Sequence, residues 1–212
     1  YYNLVENKLY EHNKNKCFFK KLNIKYNDDI NLNNPNADWN KFLRSCLCEN
    51  DYDTKGLNNI RFLQKAMGYT FGSNNTNEEK VFMLLGQTRT GKSTCIDVIQ
   101  EVMSSYSAGT QSEEFLTNDD TSNNYILGIK ASLKGKRFLH ISEISKSKRL
   151  NAAEIKRLAG DRFITAKYIY QQPFTFRNTV KYWISTNNID FNNNEFDESV
   201  KSKLAIINFN RR

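Results

Sequence analysis

Apolar positions along this chain come in two rhythms. Short unbroken runs at Val81-Phe82-Met83-Leu84-Leu85, Arg137-Phe138-Leu139-His140-Ile141, Val180-Lys181-Tyr182-Trp183-Ile184 and Leu204 to Phe209 are too brief for helices. They read as strands of a mostly parallel sheet covered on both faces. Between them, steps of three and four residues predict helices. Trp39, Phe42, Leu43, Cys46 and Leu47 form one stripe, with Asp38 as N-cap. Leu57, Ile60, Leu63 and Met67 form a second, closed by Gly68 just past its end. Ile96, Ile99, Val102, Met103 and Tyr106 form a third, and Tyr125 to Leu133 a short fourth before a turn at Lys134-Gly135-Lys136. Asn151-Ala152-Ala153-Glu154 is a capping-box variant opening a helix through Ile155 and Leu158, which Gly160 stops. Phe163 to Tyr170 and Phe174 to Phe176 predict a hairpin around Gln171-Gln172-Pro173.

The polar stretches divide the chain. Residues 1–37 are polar and Asn-rich, with a linker at Asn31 to Asn36. Phe18, Phe19, Leu22 and Ile24 are read as one short strand or docking segment, and the basic clusters at Lys14-Asn15-Lys16 and Lys20-Lys21 as a solvated face rather than a nucleic-acid contact. Residues 38–76 make a small helical entry unit that ends in the connection Ser73 to Asn77. Residues 77–212 form an α/β core, with Ser107 to Asn124 short of apolar anchors and a loop at Asn192 to Asn194.

Composition narrows the class. With 212 residues, 39% hydrophobic and 25% charged, the chain suits a globular protein with a substantial core. No apolar run approaches the ~20 residues that span a bilayer, and no signal-peptide pattern opens the chain. The expectation is a cytoplasmic protein acting at a bacterial or viral replication site, with no membrane partner. Because the chain begins at Tyr1, it is expected to be a piece of something longer. A net charge of +8 favours an anionic partner. Cys17, Cys46, Cys48 and Cys95 lack paired metal-site spacing and read as reduced thiols, Cys46 and Cys48 pointing to different sides of a helix.

The chemistry concentrates behind the first strand. Gly86-Gln87-Thr88-Arg89-Thr90-Gly91-Lys92-Ser93-Thr94 fits G-x-x-x-x-G-K-S, a phosphate loop between strand and helix. Gly86 and Gly91 permit angles and close approaches that a Cβ blocks. The loop N–H groups then face phosphate oxygens, Lys92 reaches the β/γ-phosphates of a nucleoside triphosphate, and Ser93 holds Mg²⁺. Glu143, at the end of the second apolar run, is placed to polarise water and to assist Mg²⁺, partly through water. His140 reads as a packed core histidine. Asn187, after Ser185-Thr186, can sit beside the γ-phosphate and orient the lytic water. Arg162, Lys167 and Arg177 interleave with Tyr168 and Tyr170 on the hairpin. That mixture suits phosphate contacts and base stacking, and a half-buried structural hairpin has the same composition. Pattern alone leaves both open.

The order G-x-x-x-x-G-K-S-T, F-L-H-I-S-E, I-K-R-L-A-G-D-R-F-I-T-A-K, W-I-S-T-N, K-L-A-I-I-N-F resembles a superfamily 3 helicase. It is most similar to the helicase half of phage, plasmid and large-DNA-virus primase–helicases, a group that includes the poxvirus replicative helicase-primase. W-N-K-F-L and L-Q-K-A-M-G-Y-T-F ahead of the loop are similar to that family's entry segment, so the likeness runs from about residue 35 to 209. The resemblance implies an AAA+-like sheet, a hexameric ring with ATP between subunits, and 3′-to-5′ movement on single-stranded DNA. It also implies an upstream primase domain in the full-length protein. By position it assigns Lys92 and Ser93 to Walker A, Glu143 to Walker B, Asn187 to the sensor, and Gly160 to Lys167 to the segment leading into a DNA-gripping hairpin. Lys203 stands where the family usually places its arginine finger; a lysine lacks the planar fork, and Arg211 and Arg212 are nearby candidates. The reading is an ATP-driven DNA helicase domain. The alternative is an ATP-dependent module that assembles a replication complex on DNA without unwinding it. A small-molecule kinase is disfavoured by the Ser-Thr-Asn strand end and the basic hairpin.

Overall fold

The computed structural model describes the chain except residues 4, 17, 19, 23, 26, 28–33, 35, 36, 51, 112–115, 117–123, 143–149, 190–195 and 212. Elements follow in the order β1 (Tyr2–Asn3), β2 (Lys8–Leu9), α1 (Asp38–Leu47), α2 (Thr54–Gly72), β3 (Val81–Leu85), α3 (Lys92–Met103), β4 (Ser107–Gln111) and α4 (Asn124–Ser132). Then come β5 (Phe138–Ile141), α5 (Ala152–Gly160), β6 (Phe163–Ala166), β7 (Phe174–Arg177), β8 (Lys181–Thr186), α6 (Glu198–Lys201) and β9 (Leu204–Asn208).

Among the described residues, β4-β5-β8-β3-β9 form one parallel sheet. The strand of the phosphate loop (β3) and the strand before Glu143 (β5) are not neighbours, because β8 lies between them. This is the expected α/β, AAA+-like arrangement, a parallel central sheet flanked by helices. The strands read as continuous apolar runs because both faces are covered. Val81, Met83, Leu139, Ile141, Tyr182 and Ile184 pack on one side with Ile155 and Leu158 of α5. Phe82, Leu84, Phe138 and Trp183 face the other, with Leu43 of α1, Leu63 of α2 and Ile99 of α3. Trp183 stacks on Phe82 at 4.8 Å and donates its indole N–H to Thr70 Oγ1 at 3.1 Å, locking α2 to the sheet.

Several local expectations need correction. Asp38 opens α1 instead of capping it: Ala37 is the N-cap and supplies no side-chain bond. Gly68 does not end the second helix, which runs on to Gly72. Thr70, buried and bonded to both Ala66 O and Trp183, holds the extra turn, outweighing a glycine penalty of about 1 kcal/mol. Cys48 lies beyond α1 as its C-cap; Cys46, Cys48 and Cys95 are buried. Phe18 and Ile24 are exposed and belong to no strand, while Leu22 packs at the edge of the core. The stretch after α3, poor in apolar anchors, supplies edge strand β4, and α6, capped by Asp197, was not foreseen. Cys17, Phe19, most of the 31–36 linker, the Asn192 to Asn194 loop and Arg212 lie outside the described residues. No helix among those described is long and apolar enough to cross a membrane.

Candidate functional site

The phosphate-loop segment is wedged between the first helix and the last strand. Gly86 donates its N–H to Thr186 O at 3.2 Å, and Phe209 donates to Leu85 O at 2.7 Å. A Cβ on Gly86 would overlap the Phe209 carbonyl, so no other residue fits without moving the end of β9. Gly91 has φ +92°, and a Cβ there would lie 2.5 Å from Cys46 Sγ and 3.2 Å from Phe42 Cε2. Both glycines are therefore required, one for closeness and one for closeness and angle together. Arg89 takes φ +66°, a left-handed conformation that costs a non-glycine residue about 1 kcal/mol. Thr90 is buried and braces the turn by donating to Gln87 O at 2.8 Å. The helix that follows has no side-chain cap; Lys92 at its start is buried, and Ser93 and Thr94 in its first turn are both exposed.

Lys92 is folded back over its own loop. Its ammonium donates to Gly86 O at 2.5 Å, to Gln87 O at 2.7 Å and to Asn187 Oδ1 at 3.0 Å. Asn187 reaches it because β8 pairs with β3 in parallel, Leu85 opposite Thr186, so both strands end at the same level. These three acceptors are all uncharged, so an anion bridged by loop N–H groups would be a stronger partner than any of them. The donor set suits a triphosphate.

Behind Asn187 a polar chain runs outward from buried Ser185 and His140. His140 Nε2 meets Ser185 Oγ at 2.8 Å, and its Nδ1 meets Thr110 Oγ1 at 3.0 Å. Gln100 of α3 donates to the same Thr110 hydroxyl at 3.0 Å. Burial pushes the imidazole down to about 4, so it is neutral at physiological pH. The expected core histidine is what the fold contains, and Gln100, Thr110 and Ser185 are partners the sequence did not reveal. A Ser or Thr at alternate strand positions carries no pattern of its own; only strand order brings these four together. Glu143, two residues past β5, lies outside the described residues.

The hairpin residues gather at the opposite end of the sheet. Arg177 pairs across from Phe163, and Asn178 donates to Arg162 O at 2.8 Å, so Arg162 and Arg177 sit at the hairpin base. They line a cavity of about 430 Å³ with Asn75, Asn77 and Glu79, near the start of β3. Lys203, just before β9, is ion-paired with Glu79 at this same end. The pair holds the Glu79 carboxyl below its ordinary range. Lys203 is thus at the other end of the sheet from the phosphate loop. Lys167 and Tyr168 stand apart from the arginines. Lys167 N donates to Leu127 O at 3.4 Å, and Tyr168 stacks on Phe174 and bonds Ala131 O. The fully exposed aromatic is Tyr170, at φ +62°, beside exposed Ile169. The expected set of four therefore splits into a basic base and a docked middle, while the tip presents other residues.

Known structures share the architecture. The apo NrS-1 C terminal region is 17% identical, with a TM-score of 0.56 over 80% of this chain and 37% of that one. JCV helicase is 9% identical, with a TM-score of 0.50 over 81% of this chain and 44% of that one. The chain thus spans well under half of either neighbour, and the likeness is one of fold. No curated protein matches it. The family model "Family of unknown function (DUF5906)" matches residues 84–201, from the end of the loop strand through α6. That stretch is more than half of the chain, which belongs to this family.

Proposed function

We propose that this chain is the ATP-hydrolysing motor domain of a replicative DNA helicase. The observation that carries the reading is the contact of Lys92 with Asn187, 3.0 Å across two neighbouring strand ends, inside a loop whose glycines cannot be replaced. In this reading Lys92 leaves its loop carbonyls for the β/γ-phosphates, and Asn187 stays at hand to orient the attacking water. Glu143 polarises that water. Ser93 and Glu143 would hold Mg²⁺, which supplies charge neutralisation at the phosphate oxygens. Loop N–H groups from Gln87 to Thr94 bind and align the triphosphate.

Single-stranded DNA lies on the hairpin side, its phosphates met by Arg162, Arg177 and Lys167. Tyr168, already packed on Phe174, supports the hairpin, and Tyr170 is the better stacking residue. The working form is a ring, most simply a hexamer, with an upstream primase domain in the full-length protein. In this reading Lys203, remote from its own loop and paired with Glu79, would serve a neighbour's nucleotide, while Arg211 is held at Cys48 O and Glu49 O.

ATP hydrolysis with and without single-stranded DNA, in the parent, Lys92→Ala and Glu143→Gln, tests the proposal. DNA-stimulated hydrolysis lost in both variants supports it. Hydrolysis that ignores DNA or survives in Lys92→Ala overturns it. DNA binding and hydrolysis without strand displacement would favour the assembly-module alternative.

A further inference from the structure

The phosphate loop has a second neighbour that its chemistry does not explain. Helix α1 meets the turn at Gly91 through Phe42, whose Cε2 and Cζ lie 3.2 and 3.3 Å from where a Cβ would be. One turn earlier on the same helix, Trp39 stacks on Phe42 with ring centroids 5.4 Å apart and planes 29° from parallel. The rest of that face is ordinary core: Leu43 is 0% and Leu47 6% exposed. Trp39 and Phe42 are only half-buried, at the rim of that core. The Phe82–Trp183 stack, by contrast, is sealed inside the core. An aromatic pair thus stands partly open beside the Gly91 turn of the phosphate loop.

We infer that the Trp39–Phe42 pair is the platform for the purine base of a nucleoside triphosphate held by the phosphate loop. The inference rests on the nucleotide reading given above and deepens it. The triphosphate is fixed by Lys92 and the loop N–H groups at one end. The base, a flat π-surface with hydrophobic faces, covers the remaining exposed ring area at the other. Stacking scales with ring area and reads no hydrogen-bond pattern, so the platform prefers purines to pyrimidines and separates adenine from guanine weakly. The same packing ties base occupancy to the Gly91 turn, since Phe42 touches both.

Calorimetric titration of the protein with Mg-ATP, Mg-UTP and Mg-tripolyphosphate separates the two layers. Trp39→Ala is expected to weaken Mg-ATP about tenfold and to leave tripolyphosphate within about twofold, since it removes the ring and not the phosphate contacts. The preference for ATP over UTP should collapse towards unity, and Trp39→Phe should keep most of it. Equal weakening of ATP and tripolyphosphate, or weakening of neither, overturns the platform. If Trp39→Ala does not fold, Trp39→Leu, which keeps apolar bulk but no π-face, carries the same comparison. Lys92→Ala is the control for the layer beneath. If it leaves tripolyphosphate binding intact, the phosphate-loop reading itself fails, and the platform with it.

Discussion

The two ends of the central sheet are built by opposite means. At the carboxyl ends of β3, β5 and β8, buried Lys92, His140 and Ser185 are satisfied by close polar partners: Lys92 by Asn187, and His140 by Thr110 and Ser185. At the amino ends, charges stand around a cavity of about 430 Å³, with Arg162 and Arg177 exposed and Lys203 paired to Glu79. The first arrangement fixes atoms to tenths of an ångström, as chemistry on one phosphorus requires. The second offers long side chains in water, suited to a polyanion whose phosphates recur along a strand and need no single geometry. Position is decisive at one end and loosely held at the other.

The sharpest way to break this contrast is at Asn187. Asn187→Ala should lower ATP turnover about 100-fold, in line with losing one preorganised polar partner of a reacting group. Its effect on single-stranded DNA affinity, read by fluorescence anisotropy, should be nil. A variant that retained turnover would remove the carboxyl end from the chemistry.

Of similar size is a pair of pH effects of opposite side. His140, ordinarily near 6.5, is held at about 4 by burial. The unfolded chain binds its proton first, so stability is full above pH 6.5 and falls as pH drops towards 4, by about 3 kcal/mol from this residue. Lys181, at the amino end, is buried against the Tyr69 ring, bonds Thr179 O at 3.0 Å, and is lowered from 10.5 to about 8 by burial and by Arg137. The folded chain gives up this proton first. Stability therefore rises between pH 8 and 10.5, and the cost of the buried ammonium is fully present below pH 8. Urea midpoints across pH should show both slopes. His140→Asn should flatten the acid one and Lys181→Met the alkaline one; a slope unchanged by its variant would falsify the assignment.

The smallest effect is expected at the hairpin base. Arg162→Ala with Arg177→Ala should weaken single-stranded DNA about tenfold and reduce the slope of log affinity against log salt by about 1.4, roughly 0.7 for each phosphate no longer neutralised. Basal ATP turnover without DNA should not move. If turnover falls and the salt slope does not, the two ends are one site and the contrast is wrong.

Much of the fold was legible because burial on both faces leaves strands as plain apolar runs, as at Val81–Leu85 and Phe138–Ile141. The loop was legible for a different reason: Gly86 and Gly91 answer to backbone geometry, which tolerates few substitutes. What escaped had no periodic signal. β4 is an edge strand of Ser, Ala, Gly, Thr and Gln, held by pairing to β5 rather than by its own apolar content. Gly68 does not act as a stop because local propensity is weaker than the packing of Thr70 under Trp183. In the hairpin, composition offers Tyr168 and Tyr170 alike, while the stack on Phe174 and the turn at Tyr170 leave the second ring the more exposed.

The closeness of Gly86 to Phe209 also sets a timetable. A ribosome releases the phosphate loop long before it releases β9, and until Phe209 arrives one flank of the loop's first glycine stands open. The loop is therefore among the last parts of the domain to reach its final packing. A nascent chain stopped short of residue 209 would carry the whole motif and still lack its finished seat.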